Sequence, residues 1–387
     1  MREIVLDYLS LFVENSNDMQ IFSDSDVQFI GKRLTHHEER EETIRDLWGN
    51  WEHTFTQYNY QIPYVDQFVL EKLKTHQIKQ KSIWPKGKKF AVHISHDVDF
   101  VNDYSFKEAL RNYTKLLKYG KLNPKTHLSL VYAMRFLVQS KRSLFNYNRW
   151  LETIAQYGFT STFYYFIRPS LKDVNQFDVN YHMTDKVVYK SQKMTVAEMA
   201  MDMQKDGFGI GLHTAYHAYD NATLTKQLKE TLEHDTNLKI HANRQHFLHF
   251  DMQKTPSVLS ESEIRTDSTL GFNRNIGFRA GTAFPYFLAD KELNKLNVLE
   301  IPMHIMDGAL FTTNALELDE KMATRKAIQL IDEVENVGGC ITLNFHPHVM
   351  LLPTWWNVFC NILKELSNRD VACIDTQQLY SIANYKE

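Results

Sequence analysis

One segment in the middle of the chain constrains the fold more than any other. Thr195 and Glu198 have the T-x-x-E spacing of a capping box, in which each side chain bonds the backbone of the other residue, so a helix begins here. Gly207 predicts the end of that helix, because glycine readily adopts the left-handed conformation that closes helices. Residues 208–212 then form a short apolar run typical of a buried strand. The segment therefore predicts a helix followed directly by a strand.

Strands and helices alternate along most of the remaining chain. The predicted strands comprise residues 90–95, 160–166, 208–212, 241–250, 276–280, 299–305 and 340–345. Further helices are predicted over residues 149–156 and 319–337. Such alternation is typical of an α/β fold. In an α/β barrel, catalytic side chains gather at the carboxyl ends of the strands.

Two of these strand ends carry residue types that bind metals. Asp97 and Asp99 follow one predicted strand, and His213 and His217 follow another. Two neutral imidazoles and one carboxylate make an open zinc site with a free position for water. The second carboxylate is then free to act as a base. Residues two apart in a strand point to the same face, so both aspartates can reach one pocket.

Composition indicates a globular protein and gives no sign of a charged partner. The 387 residues are 43% hydrophobic and 24% charged, with a formal net charge of -3, so no general attraction to nucleic acid or anionic membranes is expected. The three cysteines have no C-x-x-C spacing, which excludes a thiolate zinc motif and favours a reducing compartment. We find no signal-peptide pattern and no apolar run long enough to span a membrane, and we expect a cytoplasmic protein.

The chain is predicted to have two regions. Residues 1–84 are expected to form a mostly helical accessory region, and residues 85–387 the barrel, with a helical insertion at about 104–147. The accessory region contains a cluster of aromatic residues, namely Trp48, Trp51, Phe55, Tyr58 and Tyr60. These side chains either pack the region onto the barrel or form a surface on which glycans stack.

The motifs together resemble those of polysaccharide deacetylases with the NodB homology domain. The matching segments are D-V-D from Asp97, H-T-A-Y-H from His213, and L-N-F-H ending at His346. The sequence is similar to a divergent branch with D-x-D in place of the adjacent aspartates of T-F-D-D-G, over about residues 85–380. The resemblance implies a distorted (β/α)7 barrel of NodB type and one divalent metal, with zinc favoured.

The resemblance also implies a role for each matching residue. Asp97 is implied to be the general base and His346 the general acid. Asp99, His213 and His217 are implied to be the metal ligands. Amide hydrolysis needs an activated water, a polarised carbonyl and a proton for the leaving amine, and these groups can supply all three.

The arginine that orients the base is open between two candidates. Arg244 begins R-Q-H-F-L, a loose counterpart of the family motif R-P-P-Y-G, in which the backbone N–H near Phe247 is a candidate oxyanion donor. Arg279 is the second candidate. Arg279, Asp267 and Asp307 can each be a substrate contact or part of a structural salt bridge or cap. Either of those two aspartates could also tune the acid.

The leading hypothesis is a metal-dependent hydrolase that removes an N-acetyl group from an amino sugar of a cell-surface polysaccharide or its precursor. The substrate could be free, nucleotide-linked or lipid-linked. A non-catalytic glycan-binding relative is the alternative, because D-x-D and the arginine motif depart from the family pattern. The segments His96-Asp97 and His346-Pro347-His348 suggest, less strongly, a two-metal phosphoesterase or amidohydrolase.

Overall fold

The computed structural model describes residues 1–42, 44–46, 48–101, 146–170, 175 and 177–384. The helical insertion predicted at about 104–147 lies outside these residues except at its carboxyl end. None of the helices within the described ranges is long and apolar enough to cross a membrane.

Twelve strands lie within the described ranges. They are β1 (Phe90–Val98), β2 (Thr162–Phe166), β3 (Lys186–Tyr189), β4 (Gln192–Thr195), β5 (Gly209–Thr214), β6 (Ala242–Gln245), β7 (Thr266–Asp267), β8 (Tyr286–Ala289), β9 (Lys295–Glu300), β10 (Ile305–Met306), β11 (Cys340–Asn344) and β12 (Val371–Cys373).

Ten of these strands form one curled sheet, a half-barrel that agrees with the predicted α/β barrel. The strand order is β10-β11-β1-β2-β5-β6-β7-β9-β8, and β12 also pairs with β1. All the pairings are parallel except that of β8 with β9. Because parallel strands end at the same edge of a sheet, the residues that follow β1, β5, β6 and β11 converge.

Twelve α-helices precede or separate the strands in the described part of the chain. They are α1 (Arg2–Leu9), α2 (Asp24–Leu34), α3 (His37–Glu41), α4 (Tyr64–Thr75), α5 (Tyr147–Gln156), α6 (Val196–Lys205), α7 (Ala222–Thr236), α8 (Thr255–Glu261), α9 (Asp307–Phe311), α10 (Glu320–Val337), α11 (Pro353–Ser367) and α12 (Thr376–Ala383).

The predicted helix signals are confirmed in α6 and α10. Thr195 and Glu198 make the reciprocal capping box at the start of α6. At the start of α10, the Asp319 side chain accepts a 2.8 Å hydrogen bond from the Met322 N–H. Gly338 ends α10 with a φ of 72°, a left-handed conformation that suits glycine.

The strand predicted at 276–280 is wrong. This segment makes a loop whose backbone bonds the N-terminal region and a distant loop instead of a neighbouring strand. The Phe278 N–H donates to the Tyr60 carbonyl at 2.7 Å, and the Gly277 N–H donates to the His304 carbonyl at 2.9 Å. Apolar alternation alone could not reveal these long-range partners.

Two other predicted strands are shorter than expected. The strand predicted at 241–250 ends at Gln245, where a short 3-10 helix (His246–Leu248) begins. The strand predicted at 299–305 is divided between the end of β9 and the start of β10. Because of the first of these changes, His246 lies just after the end of a strand.

Helices α1 to α4 lie in the predicted accessory region and share the hydrophobic core of the barrel. Tyr8 and Phe12 pack against Phe284, with the Phe12 and Phe284 ring centroids 4.4 Å apart. Helix α1 also contacts β8. The division of the chain at residue 84 stays a prediction, although helices are the main structure on its N-terminal side.

Candidate active site

Three charged or imidazole side chains meet at the carboxyl edge of the sheet. Asp99 follows β1, His213 lies near the end of β5, and His246 follows β6. One ligand atom from each of the three side chains lies within 4.8 Å of the others. Asp99 Oδ1 is 3.5 Å from His213 Nε2 and 3.9 Å from His246 Nε2. The three nitrogen and oxygen atoms therefore surround one position.

The chemistry of this cluster fits a divalent metal ion. Asp99 Oδ1 is buried and has no hydrogen-bond partner among the described residues, so it is available as a ligand. His213 Nδ1 lies 2.9 Å from the Arg244 carbonyl oxygen, which accepts the Nδ1 proton and leaves Nε2 free to bind a metal. Two imidazoles and one carboxylate are a typical open zinc set.

His217, the ligand implied by the H-T-x-x-H motif, lies outside this cluster. The backbone N–H of Tyr216 donates to Asp178 at 3.0 Å, and the Tyr216 ring stacks on His249 with centroids 4.3 Å apart. His217 is consequently exposed, and its Nε2 atom lies 2.5 Å from Asn175 Nδ2. In the structure, His246 occupies the third place in the cluster.

Asp97 lies beside the three-residue cluster, with one carboxylate oxygen hydrogen-bonded and the other near an arginine. Asn344 Nδ2 donates to Asp97 Oδ2 at 2.8 Å, and Arg244 Nη1 is 3.4 Å from Asp97 Oδ1. Burial raises the pKa of Asp97, but the positive charges of Arg244, His213 and His346 outweigh burial and leave this pKa below its usual value. Asp97 is therefore an ionised carboxylate at neutral pH, as a general base must be.

Arg244 is fully buried and fixed by contacts other than Asp97. Its Nη2 atom donates to the hydroxyl groups of Ser95 at 2.8 Å and Ser268 at 2.9 Å. Its guanidinium carbon lies 4.7 Å from the centroid of the Tyr164 ring, within cation–π range. These contacts orient Arg244 toward the base.

His346 completes the polar side of the pocket. Its Nε2 atom is 3.6 Å from Asp99 Oδ2 and 4.0 Å from Asp97 Oδ2. Its Nδ1 atom is 2.8 Å from Asp307 Oδ1, and its backbone N–H donates to Asp307 Oδ2 at 2.7 Å. Burial lowers the pKa of His346, but Asp307, Asp99 and Asp97 outweigh burial and raise this pKa to about 10. His346 therefore carries a proton that an acid can donate.

The pKa values of the two imidazoles in the cluster shift in opposite directions. Burial lowers the pKa of His213, but Asp97 and Asp99 outweigh burial and raise it overall. Burial lowers the pKa of His246 to about 3, so this imidazole is neutral. Metal ligation needs neutral imidazoles, and His246 already meets that condition.

These side chains line a pocket of about 190 Å³ among the described residues. Charged and imidazole groups line it together with apolar and aromatic side chains. The lining residues are Trp48, Asp97, Asp99, His213, His246, Phe247, Leu248, Asn273, Met306, Gly308, Thr312 and His346. Phe247, predicted to bind substrate, is therefore at the pocket.

Arg279 and Asp267, also predicted as substrate contacts, do not line this pocket. Arg279 pairs with Glu39 and donates to the Gly271 carbonyl at 2.8 Å. Asp267 accepts a 2.7 Å hydrogen bond from Asn243 and is fully buried. Both side chains make structural contacts inside the protein.

Three residues at the site were not assigned to it by the sequence motifs. The motifs assign no ligand role to His246, Asn344 is one letter of the L-N-F-H segment, and Trp48 belongs to the N-terminal aromatic cluster. His246 lies inside the segment predicted as a strand over 241–250, so its position after the end of a strand was visible only in the structure. No local signal placed Trp48 near a residue almost two hundred positions away.

Comparison with known proteins identifies the fold. No family model matches the sequence, and no curated protein matches it. The crystal structure of an assigned polysaccharide deacetylase from Mycobacterium smegmatis has a TM-score of 0.50 and 17% identity, over 77% of this chain and 91% of that chain. Puue allantoinase has a TM-score of 0.51 and 10% identity, over 77% of this chain and 91% of that chain. The chain thus has the fold of polysaccharide deacetylases.

Proposed function

We propose that this protein is a metal-dependent hydrolase that removes an N-acetyl group from an amino sugar. The observation that carries the proposal is that Asp99, His213 and His246 lie together next to Asp97 and His346. The pKa of Asp97 is lowered, which favours its ionised form, and the pKa of His346 is raised, which favours its protonated form. The similarity in fold to an assigned polysaccharide deacetylase supports the carbohydrate substrate.

Asp99, His213 and His246 would hold one divalent metal ion, for which zinc is the favoured candidate. When bound, such an ion polarises the amide carbonyl and makes a water molecule more acidic. This ligand set replaces the one implied by the H-T-x-x-H motif, in which His217 was the third member.

Asp97 acts as the general base. It accepts a proton from the attacking water while Arg244 and Asn344 keep its carboxylate in place. The water oxygen forms a bond to the carbonyl carbon of the acetamide. A carboxylate that is ionised at neutral pH and held beside the water can accept this proton.

His346 acts as the general acid. It donates its Nε2 proton to the amide nitrogen as the carbon–nitrogen bond breaks, so the products are acetate and a free amine. Asp307 holds the opposite ring nitrogen and stabilises the protonated imidazole. The Asp307 contact therefore gives His346 both its direction and its charge.

Acetate release and metal content test the proposal together. The metal-loaded protein is assayed with free, nucleotide-linked and lipid-linked N-acetylated amino sugars. We expect the wild-type protein to bind one metal ion per chain and to release acetate. We expect His246→Ala to lose both the bound metal and the acetate release. The matched variant His217→Ala removes an exposed histidine next to the site and is expected to keep both.

The opposite pattern, with metal lost in His217→Ala and kept in His246→Ala, would restore the ligand set implied by the motif. Sugar binding without acetate release would instead support the non-catalytic alternative. Two bound metal ions per chain would favour the phosphoesterase or amidohydrolase alternative.

A further inference from the structure

A tryptophan from the N-terminal region lies in the same pocket as the catalytic candidates. Trp48 lines this pocket together with Asp97 and Asp99. Its ring plane is within 21° of the Phe247 ring plane, and the two centroids are 6.2 Å apart. Two nearly parallel aromatic rings therefore border the pocket that contains the charged groups.

The backbone that carries Phe247 has an unusual conformation. Phe247 has a φ of 57° and Leu248 has a φ of 54°. This left-handed region is rarely adopted by bulky residues other than glycine. Such conformations persist where surrounding contacts enforce them, and they cluster at functional sites.

Two side-chain amides enforce this conformation. Asn50 Nδ2 donates to the Phe247 carbonyl at 2.8 Å, and Asn273 Nδ2 donates to the same oxygen at 3.0 Å. Asn50 Oδ1 also accepts a 3.3 Å hydrogen bond from the Phe250 N–H. Asn50 is only 2% exposed, so the N-terminal region clamps the loop from inside the protein.

The Trp48 ring is itself supported. The Arg274 guanidinium carbon lies 5.1 Å from the Trp48 ring centroid, and Arg274 Nη1 is 3.1 Å from Glu52 Oε1. Contacts from two distant parts of the chain thus hold the indole at the pocket. A ring kept in place before binding loses little conformational entropy when a ligand packs against it.

We propose that Trp48 and Phe247 form an aromatic platform at the pocket wall, against which a pyranose ring of the substrate packs. This inference rests on the proposed function and names the part of the substrate that the N-terminal region binds. One face of a pyranose ring presents C–H groups, which pack favourably on flat aromatic surfaces. The acetamide on the same sugar then lies in the pocket that Asp97 and His346 also line.

The aromatic platform is covalently adjacent to a proposed metal ligand. His246 and Phe247 are adjacent in one short loop, and Asn50 fixes that loop through the Phe247 carbonyl. The metal ligand and the sugar platform are therefore positioned as one unit. A sugar stacked on the platform is held at a constant distance from the reacting groups.

The test measures sugar binding separately from turnover. Wild type, Trp48→Ala and Trp48→Phe are assayed for kcat and KM with N-acetylglucosamine, N-acetylgalactosamine and a chito-oligosaccharide. Dissociation constants for the same sugars are measured by calorimetry in an Asp97→Asn background. Metal content is recorded for every variant.

We expect Trp48→Ala to raise KM and the dissociation constant about tenfold, which corresponds to about 1.4 kcal/mol. We expect kcat and metal content to stay near those of wild type, and Trp48→Phe to restore most of the affinity. Trp355→Ala is the matched control, because Trp355 is half-buried and stacked on Phe311 at 4.7 Å but does not line the pocket. It should bind and turn over sugars as wild type does.

Unchanged KM and dissociation constants in Trp48→Ala would overturn the inference, and so would an equal loss in Trp355→Ala. Acetate release that does not depend on Trp48 would contradict only the sugar-binding role of Trp48 and Phe247. Sugar binding that depends on Trp48 without acetate release would sink the proposed reaction alone. A wild-type protein that neither binds nor deacetylates any of these sugars would overturn both.

Discussion

Two buried arginine–carboxylate pairs in this protein differ in how completely they satisfy each other. Arg279 directs Nε and Nη2 at the two oxygens of Glu39, and its Nη1 atom bonds the Gly271 carbonyl. Arg244 instead approaches Asp97 with one nitrogen at 3.4 Å and gives its other terminal nitrogen to two serine hydroxyls. The first pair is closed, and the second is open.

The difference separates a structural role from a chemical one. The closed pair ties helix α3 to the barrel, and both Glu39 oxygens accept hydrogen bonds from Arg279. In the open pair, Asp97 Oδ1 has no hydrogen-bond partner among the described residues and faces the cluster of Asp99 and His213. Both arginines were candidates for orienting the base, and only Arg244 lies next to it.

The largest expected effect comes from neutralising the carboxylate of the open pair. We expect Asp97→Asn to lower kcat by about 10²- to 10⁴-fold, the usual contribution of a general base. Metal content should remain, because Asp97 is not one of the three proposed ligands. Steady-state acetate release and metal analysis check both statements. Full activity in Asp97→Asn would remove Asp97 from the mechanism.

Breaking the closed pair should reduce stability instead of catalysis. We expect Arg279→Gln to lower the free energy of unfolding by about 3–5 kcal/mol, because it leaves the Glu39 carboxylate buried without its main partner. The kcat of the folded fraction should stay near wild type. Denaturant unfolding followed by activity per folded molecule measures the two quantities. A loss of kcat with unchanged stability would reverse the assignment of the two arginines.

A conservative change in the open pair should have a smaller effect on catalysis. Lysine keeps the charge of Arg244 but cannot reach Asp97, Ser95 and Ser268 together with one ammonium group. We expect Arg244→Lys to lower kcat by about 10- to 100-fold, less than Asp97→Asn does. The comparison of kcat in the two variants is the measurement. An equal loss of kcat in Arg244→Lys and Asp97→Asn would mean that the exact position of the Arg244 charge matters as much as the Asp97 carboxylate itself.

The smallest expected effect is on the pH dependence of stability. Burial raises the pKa of Glu39, but Arg279 and His36 outweigh burial and lower it to about 2 from 4.5. Because the folded pKa is depressed, the stabilisation is complete above pH 4.5 and is lost as pH falls toward about 2. The difference in unfolding free energy between wild type and Glu39→Gln should therefore shrink over that interval. A difference that stays constant with pH would show that the pKa of Glu39 is the same in the folded and the unfolded protein.

Much of the fold followed from local patterns. The capping box at Thr195, the stop at Gly338 and the apolar run before His213 each act within a few residues, and each is confirmed. The α/β barrel is confirmed at the level of the fold by the curled parallel sheet. The strand predicted at 276–280 failed because its hydrogen-bond partners, Tyr60 among them, are far away in sequence.

The candidate site divides in the same way. The two-residue period of a strand placed Asp97 and Asp99 on one face, and both line the pocket. His213 and His346 also line the pocket, at or just after the carboxyl ends of the strands that were predicted to carry them. The catalytic and ligand roles of these residues stay predictions that the variants above can test.

The sequence by itself determined which strand ends carry acids and imidazoles, because alternation and capping depend on neighbouring residues. Only the tertiary structure decided which histidine joins Asp99 and His213. His217 is exposed next to Tyr216, which bonds Asp178, and His246 lies in the cluster next to the left-handed residue Phe247. These choices depend on contacts between residues far apart in the chain, which a local pattern does not encode.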